Sequence, residues 1–391
     1  MPANNKINKI TALLSAALFG NEVRLDAGDF GAVFEQMKQQ AVAVLPAGLL
    51  GALPLSEELL TEWKKHIYRQ IFHFQTLTRT EQELLSALDE AGICALVLKG
   101  TSAARYYPTP QYRTMGDIDL LVKRDQHDRA AEILLSIGCI ESTDAIETAE
   151  GRTRSFNKNG VHIELHRYFA HDMARPEYSA ILDGYLLADI ESGRHTPSDT
   201  ANGLVFLEHI ALHLETGIGL RQMVDWMMYV NAVLSNEMWN KSFRAAAQEV
   251  GMEKLAVTVT RMCQLYLGLT EDNITWCKCA DEEAARNLMT YVLNSGNFGN
   301  KRGSLESSTL SKLPPITKPV ALMKYLQSAG KNARPVQEHK LLTPFAWLCQ
   351  LTHYAKVARK NHLNITKARE MREERKTRRE LFEALGVGKR G

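Results

Sequence analysis

The amino-acid sequence predicts a mixed α/β protein of the α+β kind, in which a small mixed sheet lies between two helical regions. Three observations support this prediction. Helical periodicity runs to about residue 92, short apolar or alternating runs fall between about 93 and 166, and helical patterns return from about residue 202. We therefore expect four consecutive parts, at residues 1–92, 93–200, 201–310 and 311–391.

The first part, residues 1–92, is expected to be helical. Between residues 56 and 90, apolar residues recur three and four positions apart, at Leu59, Leu60, Trp63, Ile67, Ile71 and Phe74. An apolar run over residues 10–19 follows two lysines, as in a signal peptide, but polar residues stand where a small-residue cleavage site would come. We interpret this run as an amphipathic first helix.

The second part, residues 93–200, is expected to contain the sheet. Strands are predicted at Ile93–Leu98, Asp117–Val122 and Val161–His166. The first is an apolar run bounded by glycines, the second changes from alternating to fully apolar, and the third alternates strictly. Helices are predicted over residues 101–107 and 125–137, which end at Pro108 and Gly138. The residues before Val161 are interpreted as a polar connecting stretch.

The last two parts are expected to be helical. Helices are predicted at Leu204–Leu214, Leu220–Leu234 and Lys254–Tyr266, and we expect residues 201–310 to cap the site on the sheet. From Tyr354 to the end there are 12 Lys and Arg against 5 Glu. We interpret residues 311–391 as a basic helical extension that is solvated, with binding of nucleic acid as the less favoured alternative.

Composition excludes several classes of protein. The net charge of +2 gives no general reason to expect a nucleic acid or a membrane surface as partner, and no run approaches the roughly 18 apolar residues that a membrane span needs. The six cysteines lack the spacing of a disulfide framework, so we expect a cytoplasmic protein. A zinc site at Cys277 and Cys279 is the weaker alternative, because no second pair accompanies them.

Two aspartates open the second predicted strand. Asp117 and Asp119 are two residues apart, so their side chains project from one face and can hold divalent cations. Two Mg²⁺ ions about 3.5–4 Å apart can neutralise a triphosphate and align the attacking and leaving oxygens. The alternative is a pair of surface carboxylates on a solvated loop, which is common. The apolar residues after the pair instead predict a buried strand, where unpaired carboxylates are costly.

Glu164 is the candidate for a third carboxylate. On the alternating strand His162, Glu164 and His166 share one face, and Glu164 is placed to bind a metal ion and to take a proton from an acceptor hydroxyl. Two alternatives stay open. The strand is an ordinary exposed edge, or His162 and His166 chelate zinc.

A phosphate-binding turn is predicted where the first strand passes into the short helix. Lys99, Gly100, Thr101 and Ser102 stand there, and free backbone N–H groups with two hydroxyls suit phosphate oxygens. Lys99 and Arg113 offer a point charge and a bidentate fork to the β and γ phosphates. Taken alone, Gly100 would be an ordinary turn glycine.

The order of these features resembles the polymerase-beta-like nucleotidyltransferase superfamily. Within it, the chain is similar to the uncharacterised bacterial nucleotidyltransferase family, in the segments Leu98-Lys99-Gly100, Tyr107-Pro108, Arg113 to Val122 and Ile163-Glu164-Leu165-His166. A later helical element is also similar, with His209-x-x-x-His213, Leu220-Arg221 and Val224-Asp225-Trp226. The likeness extends from about residue 8 to about residue 300 and is strongest from Leu96 to His166.

The resemblance implies Mg²⁺, or Mn²⁺, on Asp117, Asp119 and Glu164, with a nucleoside triphosphate such as ATP contacting Gly100 and Thr101. The expected reaction transfers a nucleoside monophosphate to an unknown acceptor hydroxyl, favoured as that of a small molecule or sugar, and releases pyrophosphate. Two alternatives stay open: a non-catalytic nucleotide-binding or regulatory module, and nucleotidyl modification of a protein or an RNA.

The acceptor side is the least defined part of the predicted site. His166, Arg221 and Asp225 are candidates for it. Arg221 and Asp225 are four residues apart, so they form either a weak pair on a surface helix or, if they face the sheet, part of the site. His209 and His213 have the same spacing, and we interpret them as buried histidines near the site, with metal binding as the alternative.

Overall fold

A computed structural model describes residues 2–22, 28–142, 152–170, 176–295 and 376–387. Three helices precede the sheet, α1 (Pro2–Phe19), α2 (Phe30–Gln39) and α3 (Glu57–Glu90). The α2 helix begins where the Asp29 carboxylate accepts a hydrogen bond from a backbone N–H, and the Ser56 hydroxyl caps α3 in the same way. The helical N-terminal segment is therefore confirmed.

Five strands form one mixed sheet. They are β1 (Leu96–Leu98), β2 (Asp117–Leu121), β3 (Ile140–Glu141), β4 (Thr153–Lys158) and β5 (Val161–His166). Their spatial order is β1-β2-β5-β4-β3, in which only β2 and β5 are parallel. Between β1 and β2 lies the short helix α4 (Gly100–Ala104), and α5 (His127–Ser136) follows β2. The predicted mixed sheet between helical regions is confirmed.

The interpretation of the residues before Val161 as a connecting stretch is wrong. Residues 153–158 form β4, which pairs with β5 through a tight turn at Asn159 and Gly160. Both turn residues have positive φ, 55° and 77°. An Asn-Gly pair is the strongest local signal for such a hairpin, because these two residues tolerate that conformation best. The strand itself is hard to recognise because Phe156 is its only apolar residue.

One face of the sheet packs on helices, and the opposite face is polar along most of β2 and β5. Buried residues from α3, the strands and α5 form a continuous core, including Leu84, Ile118, Leu134, Phe156 and Ile163. Every second residue of β2 and β5 enters this core, because side chains alternate along a strand. The residues between them, Asp117 and Asp119 on β2 and His162, Glu164 and His166 on β5, are therefore held on the opposite face.

The helices after the sheet are α6 (Pro176–Glu191), α7 (Asp199–Thr216), α8 (Leu220–Val233), α9 (Asn236–Met238), α10 (Arg244–Glu249), α11 (Glu253–Tyr266) and α12 (Glu282–Ser295). The three helices predicted here are confirmed as α7, α8 and α11. A Cβ atom on Gly203 would lie 2.5 Å from the Tyr229 hydroxyl, so glycine at this position allows α7 and α8 to approach closely.

Residues 1–298 and 384–391 group into one compact unit. The predicted divisions at residues 92 and 200 stay predictions, and most of the predicted basic extension lies outside the described residues. Residues 376–384 are helical, and Leu385 is fully buried. Among the described residues, no helix is long and apolar enough to cross a membrane.

Candidate functional site

A cavity of about 560 Å³ opens on the polar face of the sheet. Its walls come from β2, β4 and β5, from the turn before α4, and from α7 and the first turn of α8. The lining residues are Lys99, Gly100, Arg113, Met115, Gly116, Asp117, Asp119, Ser142, Arg152, Thr153, Ser155, His162, Glu164, His166, Phe169, His209, Leu212, His213 and Arg221.

The carboxylates lie side by side in this cavity. The parallel pairing of β2 and β5 places Asp119 opposite Glu164, and Asp117 opposite His162. Side chains in register on neighbouring strands project from the same face, so Asp119 and Glu164 meet across the strand pair. Potential ligand atoms of Asp119, Glu164 and His166 all lie within 4.8 Å of one another, and this is the group of the described residues that can hold a metal ion.

Two interpretations of metal binding receive no support from this geometry. Within the described parts of the chain, neither the Cys277 and Cys279 pair nor a pairing of His162 with His166 forms a group of three potential ligands. The His166 imidazole instead joins the carboxylates, with Nε2 3.0 Å from Asp119 Oδ1 and 3.4 Å from Glu164 Oε2. Its Nδ1 lies 3.0 Å from the Thr153 hydroxyl, which fixes the orientation of the ring.

Lys99 supplies a positive charge at the centre of the carboxylates. Its ammonium Nζ lies 2.9 Å from Asp119 Oδ1. Burial alone would raise the pKa of Asp119, but Lys99 and His166 outweigh burial and hold this pKa below its ordinary value. Burial and the neighbouring charge of Asp119 raise the pKa of Asp117. Burial opposes the charge of Lys99, yet the carboxylates around it raise its pKa, so the ammonium stays protonated at neutral pH.

The turn that carries Lys99 has an unusual backbone. Lys99 and Gly100 have positive φ, 55° and 40°. A Cβ atom on Gly100 would meet nothing closer than 3.8 Å, so its backbone conformation, and not lack of space, favours glycine. The helix that follows has only five residues. A helix this short has only a small dipole with which to attract a phosphate.

Two hydroxyls predicted to bind phosphate have partners inside the protein. The Thr101 hydroxyl is 2.7 and 2.8 Å from the two carboxyl oxygens of Glu81 on α3. The Ser102 hydroxyl donates to Asn202 on α7 over 3.1 Å. Neither Thr101 nor Ser102 lines the cavity. Their side chains anchor the turn that presents Lys99 and Gly100.

Arg113 is held by an acidic residue from α8. Its guanidinium donates two hydrogen bonds of 2.7 Å to the two carboxylate oxygens of Asp225, which also accepts one of 2.6 Å from the Tyr107 hydroxyl. Arg113 and Asp225 are both almost fully buried. Arg113 lines the cavity but Asp225 does not, so Asp225 contributes by fixing the position of the arginine.

The interpretation of Arg221 and Asp225 as a pair on a surface helix is wrong. Both side chains are buried, because α8 lies inside the molecule and its first turn reaches the cavity. Arg221 lines the cavity, where its guanidinium donates to the backbone oxygen of Thr114 over 3.3 Å. The structure shows the other alternative, in which these residues face the sheet.

Two histidines of α7 complete the wall opposite the sheet. The rings of His209 and His213 pack edge to face with centroids 4.5 Å apart, and both line the cavity. Burial, with the nearby Lys99 charge, lowers the pKa of His213 to about 4 and that of His209 well below its ordinary value. Both rings are therefore neutral at pH 7, in keeping with buried histidines near the site.

Several lining residues were missed by sequence reasoning. Arg152, Thr153 and Ser155 stand on or next to β4, and Thr153 and Ser155 lie opposite His166 and Glu164. The hairpin signal at Asn159 and Gly160 would have found β4, and its register would have placed these hydroxyls beside Glu164. No local signal points to Phe169 or Ser142, because only the folded chain brings them to the cavity.

The fold and the site define a class of protein in which an acidic group that could hold a metal ion lies beside a glycine turn on a small mixed sheet. Residues 26–268 match the sequence model of a family described as uncharacterised nucleotidyltransferase. Because this match spans more than half of the chain, the protein belongs to that family. Membership supports a transferase activity with a nucleotide substrate. No curated protein and no solved structure matches the chain.

Proposed function

We propose that the protein is a Mg²⁺- or Mn²⁺-dependent nucleotidyltransferase. An acceptor hydroxyl oxygen would attack the α phosphorus of a nucleoside triphosphate. The new P–O bond joins the nucleoside monophosphate to the acceptor, the bond to the β phosphate breaks, and pyrophosphate leaves while the hydroxyl gives up its proton. The observation that carries this proposal is the register of Asp119 with Glu164, next to the turn at Gly100, in a member of a nucleotidyltransferase family.

Asp117, Asp119 and Glu164 would hold the metal ion or ions. Carboxylate oxygens are the ligands that Mg²⁺ prefers, while the imidazole of His166 within the same group is compatible with Mn²⁺. When bound, the metal would neutralise phosphate charge and align the attacking and leaving oxygens. Asp117 is outside the group of Asp119, Glu164 and His166, but it lies two residues before Asp119 on the same strand face and lines the same cavity, which supports a role for it as a further ligand.

The triphosphate would lie on the side of the cavity formed by Lys99, Gly100 and Arg113. These residues line the cavity next to Asp117 and carry two positive charges, one of them on a fork whose position Asp225 fixes. Thr101 and Ser102 would support this side indirectly, through their bonds to Glu81 and Asn202. Phosphate contacts by their own hydroxyls are not part of the proposal.

The acceptor would lie on the Glu164 side. Glu164 is about one-third exposed, at 33%, so it can contact an acceptor and take its proton. His166, Arg221 and the hydroxyls of Thr153 and Ser155 stand on the cavity walls and offer hydrogen bonds to a polar acceptor. The cavity volume of about 560 Å³ falls in the range of sites for small molecules, which supports a small molecule or a sugar as the acceptor.

A labelling experiment tests the proposed reaction. The purified protein is incubated with Mg²⁺, a cell extract, and each of the four triphosphates labelled at the α phosphorus, with ATP first. Transfer of the α label to a small molecule, together with release of pyrophosphate, is the expected result, and Asp119→Asn should abolish both. Labelled protein or RNA would show that the acceptor is a macromolecule. Binding of a triphosphate without transfer would instead indicate a regulatory module.

The cytoplasmic location stays a prediction, as does the bacterial origin.

A further inference from the structure

The Lys99 ammonium contacts a carboxylate of the group that could hold a metal ion. Asp119 Oδ1 lies 2.9 Å from Lys99 Nζ and 3.0 Å from His166 Nε2. The side chain of Asp119 is only 2% exposed, while that of Lys99 is 18% exposed and lines the cavity. The buried carboxylate therefore has a positive partner within the protein, and that partner can be reached from the cavity.

The fold holds this lysine in place at some cost. Lys99 has φ 55° and ψ −133°, a strained conformation that non-glycine residues rarely adopt. Leu98 before it is paired with Asp119 in the sheet, and the Thr101 hydroxyl after it is bound to the buried Glu81. The turn is thus fixed on both sides, which keeps Lys99 beside Asp119.

We infer that Lys99 is an internal counter-cation that makes metal binding and nucleotide binding depend on each other, an inference that rests on the proposed function. A metal ion on Asp119 would have to displace the ammonium or lie beside it, and like charges repel strongly in a buried site. Triphosphate oxygens would accept the displaced ammonium. The free protein therefore binds a divalent cation weakly, and it binds the cation together with the triphosphate well.

The inference predicts effects of opposite sign from one substitution. Lys99→Met removes the competing charge, so the nucleotide-free protein should bind Mn²⁺ about tenfold more tightly. The same substitution removes a partner of the phosphates, so binding of the Mn²⁺–triphosphate complex should weaken about tenfold. A lysine with a merely structural role would give two effects of the same sign, because a distorted site binds both ligands less well.

Two titrations of the full-length protein test this. Electron paramagnetic resonance measures Mn²⁺ binding without nucleotide, and calorimetry measures binding of Mn²⁺ with the triphosphate that the wild type binds best. Lys123→Met is the matched control, because Lys123 follows the same strand as Asp119 but pairs with Glu191 outside the cavity. It should behave as the wild type. If Lys99→Met does not fold, Lys99→Gln replaces it, since it removes the charge and keeps a hydrogen-bond donor.

The outcomes separate this inference from the proposed function. Tighter Mn²⁺ binding with weaker nucleotide binding supports the role of Lys99. Unchanged or weaker Mn²⁺ binding in the variant overturns that role but leaves the metal site intact. Absence of Mn²⁺ binding in the wild type, with and without the triphosphate, overturns the proposed function as well.

Discussion

At the scale of single residues, the site is decided by how burial and charge are balanced around each carboxyl group. Asp119 is almost fully buried yet stays ionised, because Lys99 and His166 donate to it. Asp117 is only partly exposed and has a raised pKa, because of burial and of the neighbouring charge of Asp119. Glu164 is more exposed. These three carboxyl groups therefore differ in accessibility and in the charge that surrounds them.

We predict that the three carboxylates differ in their roles. Asp117→Asn and Asp119→Asn should abolish turnover and weaken metal-dependent nucleotide binding, because both residues lie on the triphosphate side. Glu164→Gln should remove turnover and leave nucleotide binding within about twofold, because Glu164 acts on the acceptor. Titration of each variant with the triphosphate, followed by a pyrophosphate-release assay, checks this. Full activity of Glu164→Gln would show that the third carboxylate has been misassigned.

Glu81 is a further buried carboxyl group with a shifted pKa. Burial raises its pKa from 4.5 to about 7, against the opposing effect of the Thr101 hydrogen bond. The folded protein thus holds a proton that the unfolded chain loses above about pH 4.5, so this group lowers stability as pH rises from about 4.5 to about 7, and the loss stays constant at higher pH. At about 1.4 kcal/mol per pKa unit, the loss reaches about 3 kcal/mol.

We therefore predict that Glu81→Gln stabilises the protein at high pH and not at low pH. Gln keeps an acceptor for the Thr101 hydroxyl and carries no charge. The variant should melt several degrees above the wild type at pH 8 and at the same temperature near pH 5, as followed by circular dichroism. Glu83→Gln, whose exposed carboxylate pairs with Lys158, is the control. An advantage that does not change with pH would rule out ionisation of Glu81 as its cause.

At the scale of secondary-structure elements, two connections position the site. The parallel pair of β2 and β5 aligns the carboxylates, and the bond between Arg113 and Asp225 joins the residues before β2 to α8. Arg113 and Asp225 are 112 residues apart in sequence, and they form an ion pair in which both side chains are almost fully buried. A buried ion pair is costly to break because the charged group that remains is left in the interior with neither its partner nor water around it.

We predict that Asp225→Asn lowers the free energy of unfolding by about 3 kcal/mol or more, because Arg113 would remain charged and buried. Urea denaturation measures this change. Glu253→Gln is the matched control, since its pair with Arg244 is largely exposed and should contribute less than about 1 kcal/mol. A loss as small as that of the control would show that Arg113 is satisfied by other partners.

The elements also show what sequence patterns can and cannot reveal. Strand β5 has the bounds predicted for it, Val161–His166, because one face is buried and the other is polar throughout. Strand β4 was missed because polar residues occupy both of its faces. The positions of Asp117, Asp119 and Glu164 on neighbouring strands followed from local alternation, but their register did not, since pairing depends on contacts between distant parts of the chain.

The same distinction applies to the side chains of the site. Lys99, Gly100 and Arg113, which are predicted to bind the nucleotide, line the cavity. Their binding of a nucleotide stays a prediction. Thr101 has the same local context, but its hydroxyl is bound by Glu81, which lies 20 residues earlier on α3. A partner of this kind belongs to tertiary packing and leaves no pattern in the neighbouring sequence.

At the scale of the whole molecule, helices that precede the sheet in sequence and helices that follow it enclose the sheet. The α3 helix contributes Leu77, Leu84 and Leu88 to the core beneath it, while α7 and α8 close the cavity above. Residues near the C-terminus also contribute to this compact unit, because Leu385 is fully buried and Gly386 lies against Lys254 of α11.

We predict that truncation after Ala355 leaves the main cooperative melting transition in place. It should lower the melting temperature by only a few degrees. Loss of a buried leucine costs about 2 kcal/mol, and about 1 kcal/mol corresponds to roughly 2–4 °C in a domain of about 150–250 residues. Differential scanning calorimetry measures this. Leu385→Ala in the full chain should reproduce most of the shift. Loss of the transition would show that the segment is part of the core.

The most direct measurement of the central claim is calorimetric titration of the wild-type protein with a nucleoside triphosphate, in Mg²⁺ and in excess chelator. Three carboxylates line the cavity and Lys99 is paired with only one of them, so a further cation is needed to offset their repulsion of the phosphates. We predict that the triphosphate binds in Mg²⁺ and does not bind in excess chelator. The Asp119→Asn variant should show no such difference between the two solutions. Equal affinity of the wild type in both solutions would contradict a metal-dependent nucleotidyltransferase site on this sheet.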